Sequence, residues 1–393
     1  MSAVPASPAT LLPARRALLV GNFAVGCGVM VAAGSLNDLS RSLAVPVAVG
    51  GQLITVAAVA MALGAPLLAA LLGRWDRRRL LSFALGWYAL GHAACAAMPD
   101  FAWLWPVRMA CVLGAAVFTP QAAAVIGVLA PPAERGRAIA TIFLGWSLAS
   151  VLGMPLAALV AETLSWRAAF GGVALLAAGA AWGVWRALPD GVRPEPMSLA
   201  SWRRALGHPV LMGMVAITAL SGAGQFTLFS YFAPYFRTVL GASPAETSAL
   251  FLWFGVFGVL GNLLLTRWID RVGAGAGATL ALALMALTVL LWPLAGGVAA
   301  MALVLVPWAL GCFSSNSAQQ ARLATAAPPY ASALLALNTS AIYLGQGLGA
   351  AGGGLLLSVH GYEALHWAAL AWLVAAVAWS AGLLRKVKGP VHA

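Results

Sequence analysis

Apolar stretches of about 20 residues recur along the whole chain, and they constrain its fold more than any other feature. Each is long enough to cross the ~30 Å hydrocarbon core of a bilayer as a helix. The chain has 393 residues, of which 62% are hydrophobic and only 8% charged, against about 25% charged in a soluble domain. We therefore predict an all-α membrane protein with twelve transmembrane helices. The predicted spans are about 17–36, 46–70, 80–98, 102–129, 138–160, 167–187, 209–233, 247–266, 278–295, 298–322, 332–357 and 364–384.

One long polar connection, rich in Pro and Arg, separates the first six spans from the last six. The halves also repeat: "RWDR" at Arg74 returns as "RWIDR" at Arg267, and "APP" at Ala130 returns at Ala327. This layout predicts two six-helix pseudo-repeats of the kind found in one large class of transporters. The predicted domains are a tail at 1–16, a first bundle at 17–187, a linker at 188–208, a second bundle at 209–384 and a tail at 385–393.

The basic residues predict the orientation, because inner loops of membrane proteins are enriched in Lys and Arg. With the N-terminus inside, three basic residues lie outside (Arg41, Arg167, Arg237), Arg108 lies within a span, and all others of the 22 lie on the inner side. We therefore expect an inner (cytoplasmic) membrane protein of bacterial type with both termini cytoplasmic. The formal charge of +12 is explained by anionic lipid headgroups as partners and not by nucleic acid.

Other classes of function are disfavoured by the motifs. The four cysteines fall in apolar runs without CxxC spacing, which indicates buried thiols and no metal site. "GAGAGA" at Gly273 follows a helix, so it is a turn and no nucleotide fingerprint. The chain has no GxxxxGK[ST], HExxH or GxSxG. We predict a protein that is not an enzyme, has no cofactor and is a monomer.

Short basic loops follow the second span of each half. "LLGRWDRRRLL" spans Leu71 to Leu81, and "TRWIDRVG" spans Thr266 to Gly273. Their arginines are expected to anchor tight turns at the inner leaflet. The aspartate, at the start of the next helix, favours that helix's positive end.

These loops resemble the signature of the major facilitator superfamily, in the drug and metabolite efflux branch that contains arabinose and purine-ribonucleoside exporters. In the first loop, Gly73 lies where the family usually has an aspartate, and Asp76 lies where it usually has a glycine. "RMACVLG" from Arg108 is similar to the family's helix-four arginine motif, and "GWSLASVLGMPLAA" from Gly145 resembles the Gly/Pro motif of antiporters. "GQFTLFSYFAPYF" and "LNTSAIYLGQGLGAAGGG" resemble stretches of this branch.

The first helix departs from the branch at one position. Where the branch commonly has a glutamate, this chain has Val29, and all ten acidic residues fall at span ends or in loops. The usual proton carrier is missing, so other side chains are the proton-coupling candidates. Arg108 is one: buried, it requires a wet cavity or a polar neighbour, and the alternative is an arginine that reaches the headgroups.

Asp38 and His92 are the other coupling candidates. Asp38 lies at the end of the first span. It is either a protonatable coupling group or a solvated carboxylate at the helix end. His92 lies within the third span, with the pKa range of a proton relay. The resemblance places the third helix at the periphery of its half, which favours a structural role for this histidine.

Uncharged polar side chains within spans are the candidates for substrate contacts, because lipid-facing amides are costly and turn inward. The resemblance implies that helices one, four, seven and ten line the cavity. The candidates are Asn22, Gln121, Gln225, Tyr231, Asn316 and Asn338. Each has interhelical hydrogen bonding as its alternative role.

Gating residues are expected in the two basic loops and in the fifth helix, where small residues allow close packing and proline bends the helix. They are Asp76, Arg77, Gly153, Pro155, Asp270 and Arg271.

The sequence therefore predicts a secondary active transporter that works by alternating access and exports a small metabolite or drug-like solute in exchange for protons. Asp38 and Arg108 are the predicted coupled pair. The alternatives are a facilitator or importer without proton coupling, and a membrane receptor or scaffold that transports nothing.

Overall fold

The computed structural model describes residues 8–72, 74–131, 135–193, 203–204, 206–327 and 330–386. Within these ranges the chain is helical, and twelve helices or helix pairs are long and apolar enough to cross a membrane. The number of spans and their helical nature confirm the sequence prediction. Some positions covered by the sequence analysis lie outside the described residues: residues 1–7, Gly73, Glu134 and the segments 194–202 and 387–393.

Spans one to six are built from nine helices, because spans two, four and five each contain a break, and the short helix α2 lies between spans one and two. Helix α1 is span one, α3 and α4 form span two, α5 is span three, α6 and α7 form span four, α8 and α9 form span five, and α10 is span six. Their bounds are α1 Pro8–Gly34, α2 Leu36–Ser42, α3 Val47–Gly50, α4 Gln52–Leu71, α5 Arg77–Ala97, α6 Phe101–Cys111, α7 Leu113–Leu129, α8 Arg135–Leu148, α9 Met154–Thr163 and α10 Trp166–Ala187.

Spans seven to twelve follow the same plan with fewer breaks. Span seven is the pair α11 and α12, and spans eight to twelve are α13 to α17 in order. The bounds are α11 Pro209–Phe229, α12 Phe232–Thr238, α13 Pro244–Val272, α14 Ala274–Leu291, α15 Val298–Ala326, α16 Ala331–His360 and α17 Glu363–Lys386.

The chain divides into two compact units. One contains Met1–Val45 and Leu63–Pro196, and the other contains Pro46–Ala62 and Met197–Ala393. In the first unit α1 packs against α7, α8, α9 and α10, and α5 packs against α6, α7 and α10. In the second unit α11 packs against α16 and α17, and α15 packs against α13 and α14, while α3 contacts α16.

The same helix contact occurs in both units, 200 positions apart. A Cβ on Gly145 of span five would overlap the Leu19 carbonyl oxygen of span one. In span eleven, a Cβ on Gly345 would overlap the Ala219 carbonyl oxygen of span seven. Only glycine lets these backbones approach so closely. The internal repeat predicted from the loops is therefore present in the helix packing.

Spans three and four also have a counterpart, here 197 positions along the chain. A Cβ on Gly114 would overlap the Ala84 carbonyl oxygen, and one on Gly311 would overlap that of Ala281. This spacing identifies which residues of spans nine and ten correspond to those of spans three and four.

Candidate functional site

Arg108 is a fully buried cation inside the first unit. Its side chain is 0% exposed, although it lies in an apolar span. One terminal nitrogen, Nη2, donates to the Gly28 carbonyl of span one at 2.7 Å, and Nη1 lies 3.0 Å from Nε2 of His92 on span three. The guanidinium also lies 5.6 Å from the centre of the Phe170 ring on span six. Four spans thus converge on this one charge.

The environment of Arg108 contains acceptors but no anion. The ion pairs among the described residues are Arg41 with Asp38 and Glu162, and Arg79 with Asp190. Arg108 is in none of them, and its Nε has no hydrogen-bond partner in the described part of the chain. A cation held in a membrane span by a carbonyl and an imidazole is costly, which marks such a residue as a functional candidate.

His92 is the second member of this cluster, and it is also 0% exposed. Its Nδ1 lies 2.9 Å from the Tyr88 carbonyl oxygen. A carbonyl only accepts, so Nδ1 carries the proton. Nε2 then presents a lone pair to the guanidinium of Arg108. The ring is therefore the neutral Nδ1–H tautomer, as this network of contacts assigns it.

A glycine on span one makes room for the cluster. A Cβ on Gly28 would lie 2.8 Å from Nε2 of His92 and would also overlap the Tyr88 hydroxyl. The Tyr88 hydroxyl donates to the Val25 carbonyl at 3.0 Å, which ties span three to span one beside the charge. We define the histidine–arginine cluster as Gly28, Tyr88, His92, Arg108 and Cys111; the Cys111 sulfur lies 3.2 Å from Nδ1 of His92.

Asp38 does not belong to this cluster. Its Oδ2 accepts from the backbone N–H of Trp166 at 2.7 Å, at the first residue of α10. Its Oδ1 lies 3.5 Å from Arg41, which pairs with Glu162 at 3.0 Å. A carboxylate at a helix N-terminus is stabilised by the helix dipole, so these contacts suit a structural cap.

Asn22 and Gln121, the polar candidates of the first unit, differ in exposure. Asn22 is buried, donates to the Ile142 carbonyl at 3.3 Å and accepts from the Thr119 hydroxyl at 2.9 Å. It joins spans one, four and five. Gln121 on α7 is half-buried.

In the second unit, two of the candidate side chains are fully enclosed. Asn338 is 0% exposed and accepts from Thr218 at 2.6 Å. The Tyr231 hydroxyl donates to the Ala350 carbonyl at 2.7 Å. Its ring fills a pocket shaped by glycines, since a Cβ on Gly353 would lie 2.9 Å from it.

Gln225 and Asn316 are more open. Gln225 is half-buried and donates to the Ser221 hydroxyl at 3.1 Å. Asn316 is exposed and accepts from Gln320, one turn along, at 3.2 Å. Like Gln121, these amides are at least partly exposed.

The predicted gating loop of the first half is tied to the chain that follows span six. Asp76 caps α5 by accepting from the Arg79 N–H at 3.2 Å, and its other oxygen accepts from Gly191 N–H at 2.7 Å. Arg77 is buried and donates from its backbone to the Val192 carbonyl at 3.0 Å. The loop and the start of the linker are therefore one hydrogen-bonded unit.

The other gating candidates mark a break and a helix end. Gly153 ends a π-helical turn, Ala149–Gly153, and Pro155 lies in the first turn of α9 that follows. Such turns often lie at functional sites. Asp270 and the exposed Arg271 lie in the last turn of α13.

Two interior polar contacts were missed by the sequence reasoning. Buried Gln319 donates to the Met214 carbonyl and joins spans ten and seven. Arg322 is buried and donates to the Ser380 hydroxyl at 2.9 Å. Both are polar residues within a predicted span or at its end, which is the signal that selected the other candidates.

Comparison with known proteins agrees with this architecture. The profile of the Major Facilitator Superfamily matches residues 18–334 and 214–392. The chain belongs to the major facilitator superfamily. The family resemblance, the twelve-helix fold and the absence of an enzyme function are thereby confirmed as predicted.

Relatives in bacteria cover most of the chain. It is 28% identical over 367 residues to the uncharacterized MFS-type transporter YbcL of Bacillus subtilis (strain 168), with 92% of this chain and 93% of the relative covered. It is 29% identical to the inner membrane transport protein YdhP of Escherichia coli (strain K12), covering 87% and 88%. It is 28% identical to a probable sugar efflux transporter of Helicobacter acinonychis (strain Sheeba), covering 82% of each.

Among solved structures, the D-xylose–proton symporter has a TM-score of 0.78 at 17% identity, covering 94% of this chain and 97% of that protein. This likeness shows the fold. From the family, the relatives and the twelve spans, the protein is a transporter and a multi-pass protein of the inner membrane.

Proposed function

We propose that this transporter exports a small, uncharged, hydroxyl-rich solute of the sugar class, in exchange for protons and by alternating access. The observation that carries the proposal is the kind of polar group found within the spans. Amides remain accessible there, whereas the described acidic residues lie at the ends of spans. Amides bind hydroxyl groups by donating and accepting hydrogen bonds, and they offer no counter-charge to an organic cation.

The relatives support the same substrate class. Those from Helicobacter are named as probable sugar efflux transporters, and the chain covers most of their length. Gln121, Gln225 and Asn316 are the accessible amides that we propose to contact the solute. Asn22, Asn338 and Tyr231 are enclosed by hydrogen bonds within their units, so we propose that they position the neighbouring helices.

The orientation of the protein is also a proposal. Arg74 and Arg79 in the loop before α5, and Arg203 and Arg204 before α11, are exposed. The sequence assigns both loops to the cytoplasmic side, where Lys and Arg accumulate and anionic lipid headgroups bind them. We propose that both termini are cytoplasmic and that the monomer is the working unit.

Uptake by proteoliposomes tests the proposal. The purified full chain is reconstituted, and uptake of radiolabelled D-xylose, L-arabinose and lactose is measured with the lumen acidic relative to the outside. A proton-exchanging transporter is expected to accumulate at least one of them above equilibrium. Gln121→Ala and Gln225→Ala are expected to raise KM, whereas Gln52→Ala, at an exposed residue of the α4 N-terminus, serves as the matched control.

Counterflow separates the parts of the proposal. Exchange of labelled for unlabelled sugar that ignores the pH gradient would indicate a facilitator and would refute proton coupling. Absence of both uptake and counterflow for all three sugars would refute the sugar class.

A further inference from the structure

Two side chains of the histidine–arginine cluster adjoin one backbone carbonyl, and this decides how the cluster responds to a proton. Nη2 of Arg108 bonds to the Gly28 carbonyl at 2.7 Å. Nε2 of His92 lies 3.4 Å from the same oxygen and accepts from Nη1 at 3.0 Å. Guanidinium and imidazole therefore adjoin one carbonyl of span one, and only the guanidinium donates to it.

A proton on His92 has only one place to bind. Nδ1 already carries hydrogen toward the Tyr88 carbonyl at 2.9 Å, so the incoming proton must bind to the Nε2 lone pair. That lone pair is the acceptor for Arg108. Protonation would place two donors and two like charges against each other 3.0 Å apart, and like charges at this distance repel strongly in a low-dielectric interior.

Among the groups around the His92 imidazole, Arg108 is the one that must move when the ring binds a second proton. Span three contributes Tyr88, whose ring centre lies 4.3 Å from that of the imidazole, and the buried thiol of Cys95. Span four contributes Arg108 and Cys111. Span six contributes the apolar ring of Phe170 at 5.8 Å, and span one the Gly28 carbonyl. None of these side chains is a carboxylic acid; the two thiols and the Tyr88 phenol are the weak acids among the side chains named here.

The second unit shows that packing alone does not require this pair. By the 197-residue spacing of spans three and four, His92 corresponds to Val289 and Arg108 to Leu305, and both are 0% exposed. The same helix pair is thus filled by two aliphatic side chains in the other half of the molecule. The buried charge in the first half is therefore not a general requirement of this helix packing.

We propose that His92 is the proton-binding residue of this transporter, and that a proton on its Nε2 displaces the Arg108 guanidinium from the Gly28 carbonyl of span one. In this step the Nε2 lone pair takes the proton, and the new N–H bonds to the carbonyl that Arg108 leaves. Loss of the proton restores the arrangement seen here. The inference rests on the proposed proton exchange.

Two measurements test it, and the first does not require a substrate. The full chain, labelled with ¹⁵N-histidine in lipid nanodiscs, is studied by NMR, and the His92 signals are assigned by their loss in His92→Gln. At neutral pH the Nδ1–H tautomer with unprotonated Nε2 is expected. An Nε2–H tautomer would overturn the proposal.

The second measurement is transport of the sugar that wild type accumulates, with D-xylose as the first probe. His92→Gln keeps a neutral polar side chain. Relative to wild type, its gradient-driven uptake is expected to fall at least tenfold, whereas its counterflow is expected to fall less than threefold. His366→Gln, a histidine in span twelve, is the matched control and is expected to keep both. The double variant His92→Val with Arg108→Leu copies the second unit and is expected to fold and to lose gradient-driven uptake.

Each outcome separates this inference from the proposed function. Gradient-driven uptake that survives in His92→Gln overturns the role of His92 and leaves proton exchange intact. Counterflow without any gradient response in wild type refutes proton exchange, and with it this inference. If wild type transports none of the three sugars, the substrate class fails, and the tautomer of His92 decides the inference alone.

Discussion

Substituting alanine for Gly145 or Gly345 is expected to destabilise the protein, although alanine is the better helix former. A Cβ on Gly145 would overlap the Leu19 carbonyl oxygen and lie 2.9 Å from the Phe23 nitrogen. Both are backbone atoms, so no side-chain rotation relieves the contact, and the helices must separate. The equivalent Cβ on Gly345 overlaps the Ala219 carbonyl oxygen.

The magnitude follows from two opposing effects. Overpacking of this kind costs about 1–3 kcal/mol, and we take the upper part of that range because both helices must shift. Replacing a helical glycine with alanine returns up to about 1 kcal/mol. The net destabilisation is about 1–2 kcal/mol, which corresponds to about 2–8 °C in the midpoint of thermal unfolding for a unit of this size.

The matched control is Gly183→Ala in α10, where an added Cβ has no heavy atom within 4 Å. This variant gains only the helix preference, so its unfolding midpoint should equal or exceed that of wild type. The midpoints are measured by tryptophan fluorescence in one detergent at one protein concentration. If Gly145→Ala unfolds at the temperature of Gly183→Ala, spans one and five are not packed as described. If only one of Gly145 and Gly345 is sensitive, the packing repeat is wrong.

Three further predictions concern other contacts. Asp76→Ala removes the acceptor that joins the α5 N-terminus to Gly191, so it should lower the free energy of unfolding by about 1–2 kcal/mol. The loss should be larger than for Asp100→Ala, whose exposed side chain only caps α6. The unfolding midpoints of both variants are measured in detergent, and equal losses would contradict the contact to Gly191. Tyr231→Phe removes the hydrogen bond to the Ala350 carbonyl but keeps the ring, so it should lower the free energy of unfolding by about 1 kcal/mol and leave the KM for sugar unchanged. A several-fold rise in KM would instead indicate that the hydroxyl contacts the substrate. Tags at both termini should be protected from protease in intact spheroplasts and be cleaved in inverted vesicles, and cleavage in spheroplasts would reverse the proposed orientation.

The sequence determined the membrane architecture well, because the bilayer leaves few alternatives to a long apolar helix. The repeat was also visible in the loops at Arg74 and Arg267. The packing spacing of spans three and four, 197 residues, equals the offset between Ala130 and Ala327, whereas the 200-residue spacing of spans one and five appeared in neither motif. Loops of unequal length hide that difference from an inspection of short motifs.

The sequence indicated which polar residues lie in the interior of the protein. It did not indicate which of them contact one another. His92 and Arg108 were both selected as coupling candidates, but Asp38 was predicted to pair with Arg108. The structure instead puts Asp38 at the start of α10 and His92 beside the guanidinium. Which side chains meet depends on the rotation of each helix about its axis, and the hydrophobic pattern of a helix that is apolar all round leaves that rotation undetermined.

The most direct test of the whole account is the pH change that a sugar produces in proteoliposomes without an imposed gradient. A pH-sensitive dye is trapped in the lumen, and the sugar that wild type accumulates is added outside. Inward movement of sugar in exchange for outward movement of protons should make the lumen more alkaline, and His92→Gln should abolish the change. A lumen that becomes acidic would indicate symport, and a lumen whose pH stays constant while labelled sugar enters would contradict proton coupling.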